Sequence, residues 1–342
     1  MKIKSYPLIF VFLSIFFCLP AYASDWYMTE EKKELISQIQ TNIYQDNYLD
    51  AKVYADTLIA INTNDPIGYL FKAGVLLGEM TDRETNLYPI EFNELIEKTL
   101  TLVDSNITKS DSNLIAWSYL CQGHAYAYIS LYESRFGSMT SALKSGFKAK
   151  SAYHEGLNFD STVYDLYGGL GMYHYWKSAK AGFLRWIHVF NDDKQLGIDE
   201  LHLAIDSSEI SDEAARASLV WIYLDSKNYD TALVMAKEMY QKYPDGKTFL
   251  WAIAKIQFAS GGYDKAIEVF QLLYDKLMQT QLNYYNIIEC EYFIYTAYVE
   301  LGNEGRAKEI ATRLLYYVNK VSMDVRERQR DKIEKLVKVA TN

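Results

Sequence analysis

The sequence predicts an all-α protein built as a solenoid of stacked helical hairpins, and three observations carry that prediction. Asn228-Tyr229-Asp230-Thr231-Ala232 returns as Gly262-Tyr263-Asp264-Lys265-Ala266, which sets Ala232 and Ala266 34 residues apart, the spacing of stacked helix pairs. Around that pair the apolar residues recur at helical intervals: Leu219 and Tyr223 four apart before the turn, then Ala232, Ala236 and Met239 at i, i+4, i+7 after it. No sustained period-two alternation bounded by turn residues occurs, and only five prolines stand in 342 residues, so the composition favours continuous helix over a many-stranded sheet. A single hairpin of this length leaves an apolar face uncovered and requires neighbours.

In chain order, Lys2 and Lys4 precede an apolar run from Leu8 to Leu19, which ends in Ala21-Tyr22-Ala23. That is the layout of a secretory signal with cleavage before Ser24. The run is short for a membrane span, and Phe17 stands where a lipid-modified Cys18 would need a small residue. The expected domains are a cleaved signal peptide over 1–23 and one solenoid domain over 24–342, periplasmic or secreted and not an integral membrane protein. Loss of two lysines takes the formal charge from −9 to −11, which argues against nucleic acid and anionic lipid as partners.

A first hairpin runs from Thr29, as N-cap, to Asn62, with Glu31 in the first turn. A second begins at Asp65-Pro66, where proline suits a helix start, and reaches about Ser105 with a loop from Thr81 to Pro89. A third opens at Asp111 with Trp117, Leu120 and Cys121. It continues in longer helices to about Gly156, and the turn residues Asn158-Phe159-Asp160-Ser161 end it. Residues 162–192 break the register. Tyr164, Tyr167, Tyr173, Tyr175, Trp176 and Trp186 crowd into 23 residues interrupted by Gly168-Gly169 and Gly171. Phe183, Trp186, Ile187 and Phe190 then make the stripe of a short amphipathic helix, with Arg185 and His188 to its side. Helical spacing resumes from Gly197 to Ala204. A capping helix is expected over about 322–340, where Arg326, Arg328, Arg330, Lys332, Lys335 and Lys338 surround Val325, Ile333, Leu336 and Val337.

On these residues the chain resembles the tetratricopeptide repeat family. Tyr229, Ala232 and Pro244 stand at the family's aromatic, alanine and closing-proline places, and Tyr263, Ala266, Phe270 and Leu273 match in the next unit. A third copy runs through Ile294, Tyr298, Gly302, Ala307, Ala311 and Leu314. A fourth runs through Asn47, Tyr48, Ala51, Ala55 and Leu58, with Pro66 slightly late. Val220 and Tyr295 replace small residues of the first helix, and Ala266 to Ala307 spans 41 residues, so one unit is longer. The resemblance implies a right-handed superhelical solenoid of about seven such hairpins, and a protein or peptide partner held in its concave groove. Gly168-Gly169-Leu170-Gly171-Met172-Tyr173, followed by Gly197 and Leu201, is similar to a subgroup of exported bacterial members of undefined role.

No residue set for catalysis emerges. The five histidines show no i, i+4 pair, and HExxH, CxxC, GxSxG and Walker spacings are absent. Their ring nitrogens are expected to bond backbone or water. Cys121 fits the small-residue position of a first helix, and a bridge to Cys290, though permitted in an oxidising compartment, would join units far apart. Asp192-Asp193 reads as a cap of the following helix. No enzyme activity, cofactor or metal is expected. Two readings of the aromatic stretch stand side by side. In one it packs into the array's own core. In the other Tyr164, Tyr167, Tyr173, Tyr175, Trp176, Lys177, Arg185 and Trp186 form a surface for a partner. The alternative function is a periplasmic carrier holding a small apolar or amphipathic ligand, such as a lipid, in a cavity around residues 164–190.

Overall fold

The computed structural model describes residues 27–180, 192–280 and 283–341. The expected signal sequence and the amphipathic stretch 183–190, with Arg185 and Trp186, lie outside the described residues. Sixteen helices and no strand occur among those described: α1 (Glu30–Tyr44), α2 (Tyr48–Ile61), α3 (Pro66–Asp82), α4 (Pro89–Asn106), α5 (Ser112–Phe136), α6 (Met139–Phe159), α7 (Asp165–Lys180), α8 (Lys194–Ser207), α9 (Asp212–Asp225), α10 (Tyr229–Lys242), α11 (Thr248–Ala259), α12 (Tyr263–Thr280), α13 (Tyr285–Glu300), α14 (Glu304–Val318), α15 (Met323–Arg328) and α16 (Arg330–Thr341). From α1/α2 to α13/α14 the helices pack in consecutive pairs, and the second helix of each pair packs on the first helix of the next. First helices also touch in succession, α1 to α3, α3 to α5, α5 to α7, α7 to α9 and α9 to α11, which is the stacking of a helical solenoid.

The repeat visible in the sequence is a repeated turn. Asp46, Lys227, Gly261 and Gly302 all take positive φ, at 60°, 63°, 83° and 70°. The N–H of the next residue then reaches back to a helix carbonyl, Asn47 to Asn42, Asn228 to Tyr223, Gly262 to Gln257 and Asn303 to Tyr298, at 2.8–2.9 Å. This is the left-handed close of a helix C-terminus, which satisfies carbonyls left without an intrahelical donor. Four residues later comes the alanine, and the N–H groups of Ala51, Ala232, Ala266 and Ala307 bond the carbonyls of Asn47, Asn228, Gly262 and Asn303. All four alanines are buried where the second helix crosses the first.

The hairpin ends follow local chemistry. The Thr29 hydroxyl accepts from the Lys32 N–H, Asp65 caps α3 ahead of Pro66, and Asp111 caps α5. Two expectations are corrected. The single capping helix is two, α15 and α16, broken at Gln329, whose buried amide turns inward to the Tyr285 carbonyl and Glu289 at 3.5 and 3.3 Å. The expected Asp192-Asp193 cap holds only in part: Asp192 Oδ1 accepts the Lys194 N–H at 3.4 Å, whereas Asp193, at the N-cap of α8, makes no capping bond and pairs with Lys177 instead.

The array folds back on itself. Tyr44 at the end of α1 packs against Tyr243 and Phe249, with ring centroids 5.1 and 5.5 Å away. Gly246 runs so close that a β-carbon there would collide with the Tyr44 carbonyl oxygen. Next to this contact the buried Lys247 ammonium lies between Asp46 at 2.5 Å and Asp82 at 3.2 Å, and its backbone N–H donates to Asp46 at 2.9 Å, 201 positions away. The seam continues through Asn283, which donates to the Arg83 carbonyl and the Thr85 hydroxyl, and Asn286, which donates to the Asp82 carbonyl at 2.7 Å. It ends at buried Glu84, held between Arg135 and Arg328. Gln40 and Lys33 of α1 add contacts to the Ile210 carbonyl and to Glu209.

Candidate functional site

The residues nominated by the sequence fall mostly on α7, and the structure sorts them by face. Asp165 opens the helix fully buried, its two carboxylate oxygens accepting the N–H groups of Glu209 and Ile210 at 2.9 and 3.0 Å. Burial pushes its pKa up against these hydrogen bonds. Leu166, Leu170, His174 and Ser178 continue the buried stripe. The glycines have packing roles. A β-carbon on Gly169 would run into the Tyr153 ring, and one on Gly171 would lie 2.6 Å from the Gly197 carbonyl oxygen, as one on Gly197 would from that of Gly171. The α7/α8 pair therefore crosses backbone on backbone. Gly168 is different, since its nearest neighbour beyond the helix would stand at 3.5 Å.

Tyr175 is a core residue, 0% exposed, with its hydroxyl donating toward Asp225 at 2.9 Å and the Ile222 carbonyl at 3.2 Å. Trp176 meets the Tyr175 ring edge-on at 5.3 Å and carries the Lys180 ammonium 5.3 Å from its own ring. Tyr173 is half-buried. Phe147 of α6 meets it edge-on at 6.3 Å, and the ammonium groups of Lys150 and Lys177 lie 5.9 and 6.0 Å from its ring centre. Tyr164 and Tyr167 stack on each other at 6.2 Å at the start of the helix. The structure thus leaves Tyr173, Trp176 and Lys177 partly exposed and buries Tyr175 against the edge of the Trp176 ring. Phe147, Lys150 and Asp193 belong to this surface and were not nominated. The signal for Phe147 was Met139, Leu143 and Phe147 at intervals of four, on the side of α6 opposite its buried stripe.

The other polar groups are mostly paired within the fold. His124 Nδ1 lies 2.6 Å from the Tyr153 hydroxyl, and burial lowers its pKa to about 4. His174 Nδ1 lies 2.6 Å from Glu200, and His202 Nε2 lies 3.0 Å from the Tyr223 hydroxyl. These partners are side chains rather than the expected backbone or water. The His154 ring lies tilted beside that of His174, with centroids 6.1 Å apart. Cys121 and Cys290 are free and buried, and burial pushes both thiols up, which makes them poor nucleophiles. Among the described residues no group of three or more His, Cys, Asp or Glu could hold a metal ion, and no described helix is long and apolar enough to cross a membrane. A shallow, open depression on α14, lined by Gly305, Lys308, Glu309, Thr312 and Arg313, lies on a different hairpin from α7.

The turns, the alanine crossings and the stacking define an all-α solenoid of tetratricopeptide-like hairpins. No family model matches the chain, and no curated protein does. Among solved structures, a tetratricopeptide repeat protein from Parabacteroides merdae ATCC 43184 aligns over 92% of this chain and 100% of its own at 13% identity, with a TM-score of 0.39. A likeness at that score carries no weight of its own, and the class rests on the repeats of this chain.

Proposed function

We propose that the chain is an exported, non-catalytic scaffold that takes a protein or peptide segment against the outward side of α7, in the concave groove expected of such an array. The observation behind this reading is the trio Tyr173, Trp176 and Lys177. These side chains are partly exposed on a helix whose backbone is pinned by the Gly171–Gly197 crossing and the bonded Tyr175 hydroxyl. Aromatic side chains with a polar tip bury much area at low rotamer cost, and a few such anchors on a rigid support carry most of an interface's affinity. Export is assigned to residues 1–23, so the mature protein is expected to begin at Ser24.

Tyr173→Ala and Trp176→Ala are expected to weaken capture of the partner from an envelope extract about tenfold each, with helical content unchanged by circular dichroism. Unchanged capture by both variants in a folded protein would reject the surface. An N-terminus other than Ser24 on exported protein would reject the processing site. A small molecule retained through purification and seen by native mass spectrometry would favour the carrier reading instead.

A further inference from the structure

Two solvent-facing strips of opposite charge lie on second helices in the N-terminal half of the array. On α6, Met139, Leu143 and Phe147 are 64%, 60% and 50% exposed. They fall on one line over two turns, about 12 Å long. Lys144 and Lys148 flank that line and Lys150 follows it, and the helix has no carboxylate before Glu155. Among the described residues none of these three lysines makes an ion pair; Lys148 and Lys150 lie over the rings of Tyr126 and Tyr173. The buried stripe of the same helix, Ala142, Ala149, Ala152 and Tyr153, is a separate set; Phe147 and Lys150 also meet Tyr173 at the edge of the α7 surface, and Met139 and Leu143 stand clear of it in solvent.

The second strip is formed by α2 and α4. Leu49 and Val53 of α2 are 74% and 57% exposed, and Ile90 of α4 is 73% exposed. Both helices pack on α3, and side chains bridge them here. Lys52 donates to the Tyr88 hydroxyl at 3.2 Å, and Lys72 reaches both Asp56 of α2 at 2.8 Å and Glu91 of α4 at 3.4 Å. Around the apolar residues stand Asp50, Glu94 and Glu97, exposed carboxylates that make no ion pair among the described residues, with Lys98 drawn over the Tyr69 ring.

We propose that the α6 strip of one copy docks on the α2–α4 strip of a second copy, so that the chain associates with itself through unlike faces. Each strip exposes three large apolar side chains; Lys144, Lys148 and Lys150 on one and Asp50, Glu94 and Glu97 on the other make no ion pair among the described residues, and Lys98 is the exposed cation beside the acidic set. Apolar contact supplies the affinity, and the lysine–carboxylate match supplies orientation and register. At a formal charge of −9 for the full chain, more negative still without Lys2 and Lys4, two copies repel overall. The lysines of α6 provide the local exception that lets one copy meet the acidic strip of another. Because the two faces differ, the contact either closes reciprocally into a pair or continues into an open chain, and both are forms of the same proposal.

Analytical ultracentrifugation of the purified protein tests it. The average mass of the native protein is expected to rise with concentration at low salt and to fall when salt is raised to about 0.5 M, where exposed charges are screened. Lys144→Glu with Lys148→Glu, and separately Asp50→Lys with Glu94→Lys, should each weaken association about tenfold or more. An equal mixture of the two variants should recover it, since each then presents a face that complements the other. All four positions are on the surface, and an unchanged circular dichroism spectrum and melting curve will show that both variants fold. A native protein monomeric at every concentration would overturn the proposal, as would association that survives both reversals or a mixture that recovers nothing. Monomeric protein that binds anionic vesicles only while Lys144 and Lys148 are intact would assign the α6 strip to a membrane surface and equally overturn it.

Discussion

Lys247→Met tests the seam that closes the array. Lys247 is buried, and its ammonium lies between Asp46 and Asp82, which are themselves mostly buried. Methionine nearly matches its volume and length, so the substitution removes the charge and leaves two facing carboxylates. Removing one partner of a buried ion pair costs about 3–5 kcal/mol because the remaining charge is left uncompensated. Burial already pushes Asp82 up to about 6, with Lys247 opposing that shift and Asp46 adding to it. Without Lys247 the Asp82 carboxyl should take up a proton more readily still, and a proton bound on folding makes the cost fall by about 1.4 kcal/mol per pH unit. The expected loss is therefore about 4 kcal/mol at pH 8 and about half of that at pH 5. Urea unfolding of the native and variant proteins at both pH values measures it, and Asp46→Asn added to Lys247→Met should restore much of the loss at pH 8. A cost below about 1 kcal/mol at pH 8, or one that is equal at pH 5 and pH 8, would refute the reasoning, because the pair would then not be a desolvated contact in the folded protein.

Three further outcomes follow from groups on α3, α5 and α7. Burial depresses His124 to about 4, so its contribution to stability is present above the unfolded value of about 6.5 and is lost as pH falls toward 4. The loss is about 2–3 kcal/mol, and His124→Gln should flatten that limb of a pH series of unfolding curves. Asp82 works in the opposite sense, since its raised value favours the folded state below about 4 and loses that effect as pH rises through about 6. Gly171→Ala and Gly168→Ala, both on α7, should move the melting temperature in opposite directions. The first forces a β-carbon to 2.6 Å from the Gly197 carbonyl oxygen and costs about 1–3 kcal/mol. The second meets only ordinary contacts and gains about 0.5–1 kcal/mol of helix propensity.

The candidate surface was legible in part. The density of aromatic residues pointed to α7, and Tyr173, Trp176 and Lys177 do face outward there. Tyr175 and Trp176 are neighbours of the same chemical kind, however, and only the position of α9 puts one hydroxyl within reach of Asp225 and the Ile222 carbonyl. The run of glycines could be read as a break in the array or as a close crossing. Gly197, 26 positions after Gly171, had to be placed against it before the crossing was visible.

What the sequence determined by itself is the local machinery: where helices begin and end, which alanine lies in each crossing, and how the turns recur. These features depend on contacts within a few residues, so capping residues, helical periodicity and the alanine five residues after each left-handed residue record them directly. The tertiary structure decided the return of the array on itself and the break between α15 and α16. It also decided which aromatic residues are core and which strips stay in water. Those outcomes depend on pairs such as Lys247 with Asp46 and Arg328 with Glu84, whose members are more than two hundred positions apart. In the sequence Lys247 is a lysine beside a turn, and nothing in its neighbours shows that its charge will be enclosed between two carboxylates.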